Sequence, residues 1–146
     1  MSKSNKFNFK NIDLKARKAL EAAIVDVGNT AKVFFVESFR KQGWDDKSVE
    51  RWKPRKKKTY RTRSGKVVDD TTRAILVKTG DLRRSIIRNP ANRAALTIKI
   101  STDLVYAARH NNGLKKMPKR QFMGDSYNLN EKVKAVIVKR LDKVFT

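Results

Sequence analysis

Between Arg51 and Lys66 the chain carries nine basic residues and no acidic one. Like charges at that density repel one another and cannot be packed into a core without a counter-surface. The body must therefore be built from what lies on either side, with residues 44–73 forming an extended basic loop or a long hairpin outside it. Other signs agree. Helical periodicity stops at Trp44, Trp44 and Trp52 flank a polar connection, and Pro54 then blocks regular structure. Ser64-Gly65 marks a turn, and Tyr60 lies inside the run.

The upstream flank reads as one long helix from Leu14 to Gln42. Leu20, Ile24, Val27, Ala31, Phe34, Phe35 and Ser38 recur at steps of three and four and form one stripe. Asn11 or Asp13 is placed to cap its start, Gly43 suits its end, and Gly28-Asn29 marks a place for a kink. Its length would be about 40 Å, long for a small body.

The downstream flank ends in a second helix from Leu129 to Val144. Leu129, Val133, Val136, Ile137, Leu141 and Val144 form its apolar face, and Asn128 with Glu131 reads as a capping pair. Shorter elements lie between. Thr79 caps a short helix with Asp81 in its first turn. Asn89 to Asn92 forms a turn. Leu96, Ile98 and Ile100 alternate with Thr97, Lys99 and Ser101, as in a strand with one face on a core. The prediction is an α+β fold: a long N-terminal helix, a small antiparallel sheet, and a C-terminal helix packed on the sheet. With 146 residues, 39% of them hydrophobic, the chain makes one domain over 1–146, with 1–12 as a flexible lead.

Thirty-six Lys and Arg against 14 Asp and Glu leave a formal charge of +22, a surface that repels itself and attracts polyanions. Cysteine is absent, which excludes disulfides and thiolate metal sites. No apolar run approaches the roughly 20 residues of a membrane span, and Met1 to Lys6 lead into no signal core. The reading is a soluble protein made in the cytoplasm. His110 is the only histidine, and no second His, Cys, Asp or Glu stands near it at ligand spacing. Catalytic and metal sites need converging groups, so His110 reads as a hydrogen-bonded structural residue. Asp45-Asp46 and Asp69-Asp70 read as solvated charge balance. The glycines form no phosphate-cradling pattern, and no helix-turn-helix precedes the basic run. No catalytic residue, metal or cofactor is expected.

Three collinear segments carry more information. They are Leu76 to Ile86 (LVKTGDLRRSI), Tyr106 to Gly113 (YAARHNNG) and Met117 to Gly124 (MPKRQFMG). Together they resemble the phage virion morphogenesis family, the tail-completion proteins of Mu-like phages and their relatives. That family's patterns run thr-Gly-x-Leu-x-x-Ser-Ile, Tyr-Ala-x-x-His-x-x-Gly and met-Pro-x-Arg-x-Phe-x-Gly. Every position those patterns name is matched, Gly80, Leu82, Ser85, Tyr106, His110, Gly113, Pro118, Phe122 and Gly124 among them. The resemblance implies a structural virion subunit, not an enzyme, without cofactor. It would form a ring, a hexamer, that joins the tail to the head connector. Its partners would be copies of itself and the neighbouring connector, head-closure and tail-tube proteins. It would act at the head–tail junction of the virion after assembly in the host cytoplasm.

Residue chemistry gives these positions roles. Gly80 and Gly113 suit unusual backbone dihedrals or close approach, and Pro118 fixes the backbone ahead of Phe122. Tyr106 and Phe122 read as core anchors, the tyrosine hydroxyl reaching a polar partner. Arg83, Arg84, Arg109 and Arg120 are candidates for salt bridges between subunits, because their segments are too polar to be pure core. Lys56, Lys57, Lys58, Arg61 and Arg63 belong either to a solvated loop or to an arm that contacts packaged DNA or an acidic partner. The alternative function is a basic nucleic-acid-binding protein whose charge is its working surface.

Overall fold

The computed structural model describes residues 9–56, 59–69 and 73–146, with side chains from Leu14 onward. The first and longest element is α1 (Phe9–Lys41), 33 residues and about 50 Å. It starts before Leu14, so Asn11 and Asp13 lie inside the helix rather than at its cap, and residues 9–12 belong to it rather than to a flexible lead. Residues 1–8 fall outside the described residues. Phe34, Phe35, Ser38 and Phe39 bury the stripe's C-terminal half, and Ala19 and Ala23 are buried further up.

The helix runs without interruption through Gly28. A Cβ there would stand 2.3 Å from Ile98 Cδ1 and 2.8 Å from Arg88 Cδ, so this glycine is a seat for a crossing hairpin, not a kink. At the end of α1 it is Gln42, not Gly43, that turns left-handed (φ 54°). Its side-chain amide donates to Phe39 O (2.6 Å) and Ile75 O (3.1 Å) and accepts from Ile75 N–H (2.5 Å). Those bonds offset the cost of a left-handed non-glycine residue.

The residues after α1 form two antiparallel hairpins. β1 (Gly43–Asp45) pairs with β2 (Val49–Arg51), Trp44 opposite Glu50. β3 (Thr59–Arg61) pairs with β4 (Val67–Asp69), Tyr60 opposite Val68. β3–β4 is turned by Thr62 to Lys66, with Gly65 at φ 81°. The short helix α2 (Asp81–Ser85) follows, then a third hairpin, β5 (Ile87–Arg88) with β6 (Ile100–Ser101), extended by a bridge between Asn92 and Thr97. The strand expected from Leu96 is thus shorter than its alternation suggests, because Leu96 sits left-handed (φ 52°) in the hairpin turn. Among the described residues the antiparallel structure is three two-stranded pieces rather than one sheet.

α3 (Ala107–Asn112) and α4 (Tyr127–Phe145) complete the fold. α4 packs along α1 more than on any strand, with Arg140 Nε donating to Asp26 Oδ2 (2.6 Å). Its cap is Ser126, not Asn128 with Glu131. The Ser126 hydroxyl accepts from Leu129 N–H (3.1 Å) and donates to Asp45 O (2.6 Å). Asn128 Nδ2 instead donates to Asp45 Oδ1 (2.7 Å), and Tyr127 N–H donates to Asp46 Oδ1 (2.7 Å). Asp45-Asp46 is therefore an anchor for α4, not solvated charge. Lys41, bonded to the Asp45 carboxylate, and Asn128 hold that carboxyl below its ordinary value.

The core joins the C-terminal half of α1 to the first hairpin and to Phe122. Phe39 lies between Trp52 (ring centroids 5.5 Å) and Phe122 (5.3 Å), while Phe34 meets Trp44 edge-on at 5.9 Å. Burial of each such ring is worth about 1.5–3 kcal/mol, with more from edge-to-face pairing. Trp52 Nε1 donates to Gln121 O (2.8 Å), so both tryptophans belong to the body rather than to an outer loop.

Candidate functional site

The three motif segments meet around one cleft of about 240 Å³. Leu76, Lys78, Thr79, Asp81 and Leu82 come from the first, Tyr106 and His110 from the second, and Arg120 from the third; Arg55 closes it from the basic stretch.

The first wall is shaped by the start of α2. Gly80, at φ 75°, turns the chain into the helix and is its N-cap residue, without a side-chain cap bond. Thr79, expected as the cap, instead donates to Asp81 Oδ2 (2.5 Å) and accepts from Asp81 N–H at 3.4 Å. Arg84 Nη2 donates to Asp81 Oδ1 (2.7 Å) and Thr79 O (2.8 Å). Thr79 first, then Arg84, holds the Asp81 carboxyl below its ordinary value. Leu82 and Ile86 point into the core, and Ser85 Oγ donates to Leu82 O (2.7 Å) and accepts from Thr102 Oγ1 (2.6 Å).

The second and third segments are fastened together. Asn111 Oδ1 accepts the N–H groups of Phe122 and Met123 (both 2.9 Å), and its Nδ2 donates to Met123 O (3.1 Å). Arg120 N–H donates to His110 O (2.8 Å). Gly113 ends α3 at φ 70°, where a Cβ would press on Lys119 Cα and N at 3.1 Å. The sequence signal for Asn111 is slight, since an amide side chain in a short helix also suits a solvated surface.

Several expected placements change. Phe122 is 1% exposed and packs on Phe39, but Tyr106 is 39% exposed. Tyr106 precedes α3 and stands at the cleft edge, its ring meeting His110 at 6.1 Å and 87°, so it is no core anchor. His110 Nδ1 is buried without a hydrogen-bond partner, in contrast to the hydrogen-bonded histidine expected. Burial, then the nearby Arg120 charge, pushes its pKa down, so the imidazole is neutral at pH 7.

The four candidate arginines separate. Arg120 is buried, with Nε and Nη2 donating to Lys53 O at 3.1 and 3.0 Å, so it braces the Trp52–Pro54 segment. Arg84 is exposed but tied to Asp81. Arg83 is exposed and Arg109 half-buried. In the basic stretch, Lys56, Arg61 and Arg63 are exposed; Lys57 and Lys58 lie outside the described residues. Pro118 is half-buried, and Gly124 is exposed.

Among the described residues no three His, Cys, Asp or Glu side chains stand together as a metal site, and no helix is long and apolar enough to cross a membrane. Fold and site thus define a small α+β protein whose three sequence motifs converge on one cationic cleft. The comparison with protein families is more particular: residues 17–142 match the phage virion morphogenesis family, and the chain belongs to that family. Its role is accordingly in building the phage particle. No curated protein and no solved structure matched the chain.

Proposed function

We propose that this protein is a neck or tail-completion subunit, a structural and non-catalytic part that forms a ring joining the tail to the head connector. The observation that carries this reading is the exposure of apolar side chains on the motif face. Val105 is 84% exposed, and beside it Tyr106 stands open at the cleft that the three motif segments build. Apolar side chains displayed next to ordered polar groups are what a partner surface covers. Repetition by rotational symmetry would multiply modest contacts of this kind into a stable ring.

The test is reconstitution. Purified protein added to a lysate that lacks it should restore infectious particles. Val105→Asp should give a protein of unchanged thermal midpoint that restores about a hundredfold fewer, since a charge would be buried at the contact. Full restoration by that variant would remove the motif face as the joining surface.

A second reading is favoured by the β3–β4 hairpin, where Arg61, Arg63 and Lys66 are exposed beside Tyr60, itself 48% exposed. It makes the chain a nucleic-acid-binding protein, with bases stacking on Tyr60 and phosphates on the cations. Affinity for duplex DNA would then fall with salt at a slope of about 0.9 per phosphate contact. A joining ring should persist at salt that strips DNA away.

A further inference from the structure

Beside the motif cleft, and sharing Arg55 and Arg120 with it, lies a larger open groove of about 700 Å³. Pro54, Met117 and Pro118 give it an apolar wall, and the exposed Lys53, Lys56 and Lys116 give it a cationic rim. Among the described residues no acidic side chain lines it. Arg120 is only 8% exposed, and among the described residues no carboxylate pairs with it. A buried charge without a counter-charge is costly. Two of its five N–H donors are used on Lys53 O, which leaves three for a visitor. Burial and the neighbouring Arg55 both disfavour its charged form. Lys115 and Lys116, both left-handed (φ 54° and 61°), hold the strand of chain that carries Met117 in a bent path along the groove.

We propose that this groove receives an extended acidic segment of a neighbouring virion protein, with a carboxylate on Arg120 and an apolar side chain against Met117 and Pro118. The proposal rests on the reading of the chain as a joining subunit. Charge complementarity selects an acidic occupant, and the apolar wall selects a peptide over a nucleic-acid backbone. A duplex offers phosphates to the rim but no apolar side chain to Pro54, Met117 and Pro118. Planar carboxylates also match the guanidinium fork in two-point contacts.

The experiment uses the full chain and fluorescence anisotropy with three probes at roughly physiological salt, about 0.15 M. The probes are a peptide alternating Glu with Leu, a polyglutamate of the same net charge, and a duplex DNA. K53E/K56E places four charge units of change on the groove, and R61E/R63E places the same change on the hairpin as a control. The alternating peptide should bind at least about tenfold tighter than polyglutamate. K53E/K56E should weaken it about tenfold, and R61E/R63E by about threefold or less. Met117→Gln removes part of the apolar wall without altering charge. It should abolish the preference for the alternating peptide and leave polyglutamate binding unchanged. Equal binding of the two peptides, or equal weakening by the groove and hairpin pairs, would reduce the effect to general attraction by the +22 surface and overturn the proposal. Tighter binding of the duplex, lost with K53E/K56E, would overturn it in favour of nucleic acid. Because the assay reads the groove in the isolated protein, its failure leaves the joining role to the reconstitution test.

Discussion

His110 shows how much a single side chain can report. Its Nδ1 is buried and unpartnered, and burial with the Arg120 charge lowers its pKa from an ordinary value of 6.5. The unfolded chain therefore binds a proton more readily than the folded one, so stability is full above about pH 6.5 and falls as pH drops toward the folded pKa. No other histidine is present to confuse that window. The thermal midpoint should decline from pH 7 to pH 5.5, and His110→Gln should flatten that decline. An identical decline in the variant would show that His110 does not cause it. Arg120 teaches a different lesson at the same scale. Its bonds to Lys53 O make it part of the fold, so an assembly defect after charge reversal there would not identify a subunit contact; Arg83, which is exposed, is the cleaner site for that question.

At the scale of elements, the two long helices were legible because their apolar positions recur at helical spacing over many turns. The α1 stripe and the α4 face both lie on the buried side. What was hidden depends on contacts between distant segments. Gly28 looked like a helix breaker because sequence shows a missing side chain but not the Ile98 and Arg88 side chains that need the space. Asp45-Asp46 looked solvated because its partners are about 80 positions away, at the start of α4. Asn128 with Glu131 fitted the capping pattern, yet the extended backbone and buried hydroxyl of Ser126 take the role. Ser126→Ala should cost about 2 kcal/mol, from a lost cap and a lost bond to Asp45 O. Glu131→Ala, at an exposed position, should stay within about 0.5 kcal/mol. Urea unfolding of both variants checks this, and the reverse ranking would restore the Asn128–Glu131 cap. The three motif segments were legible as a set, but their meeting at one cleft was not, because the Asn111 bonds that join the second to the third are visible only in the folded chain.

For the whole molecule, charge and architecture divide the work. The aromatic core, drawn from α1, the first hairpin and Phe122, holds the motif cleft in place. The β3–β4 hairpin holds exposed cations apart from that core, where self-repulsion costs least and a polyanion or acidic neighbour could neutralise it. A +22 surface is consistent both with joining and with nucleic-acid binding, whereas the family assignment and the exposed apolar motif face bear on joining. The central claim, that the protein completes the head–tail junction, is tested most directly by negative-stain microscopy of a phage lysate made without it. Filled heads beside separate or overlong tails are the predicted result. Intact, joined virions would contradict the account and return the charge, and nucleic acid, to first place.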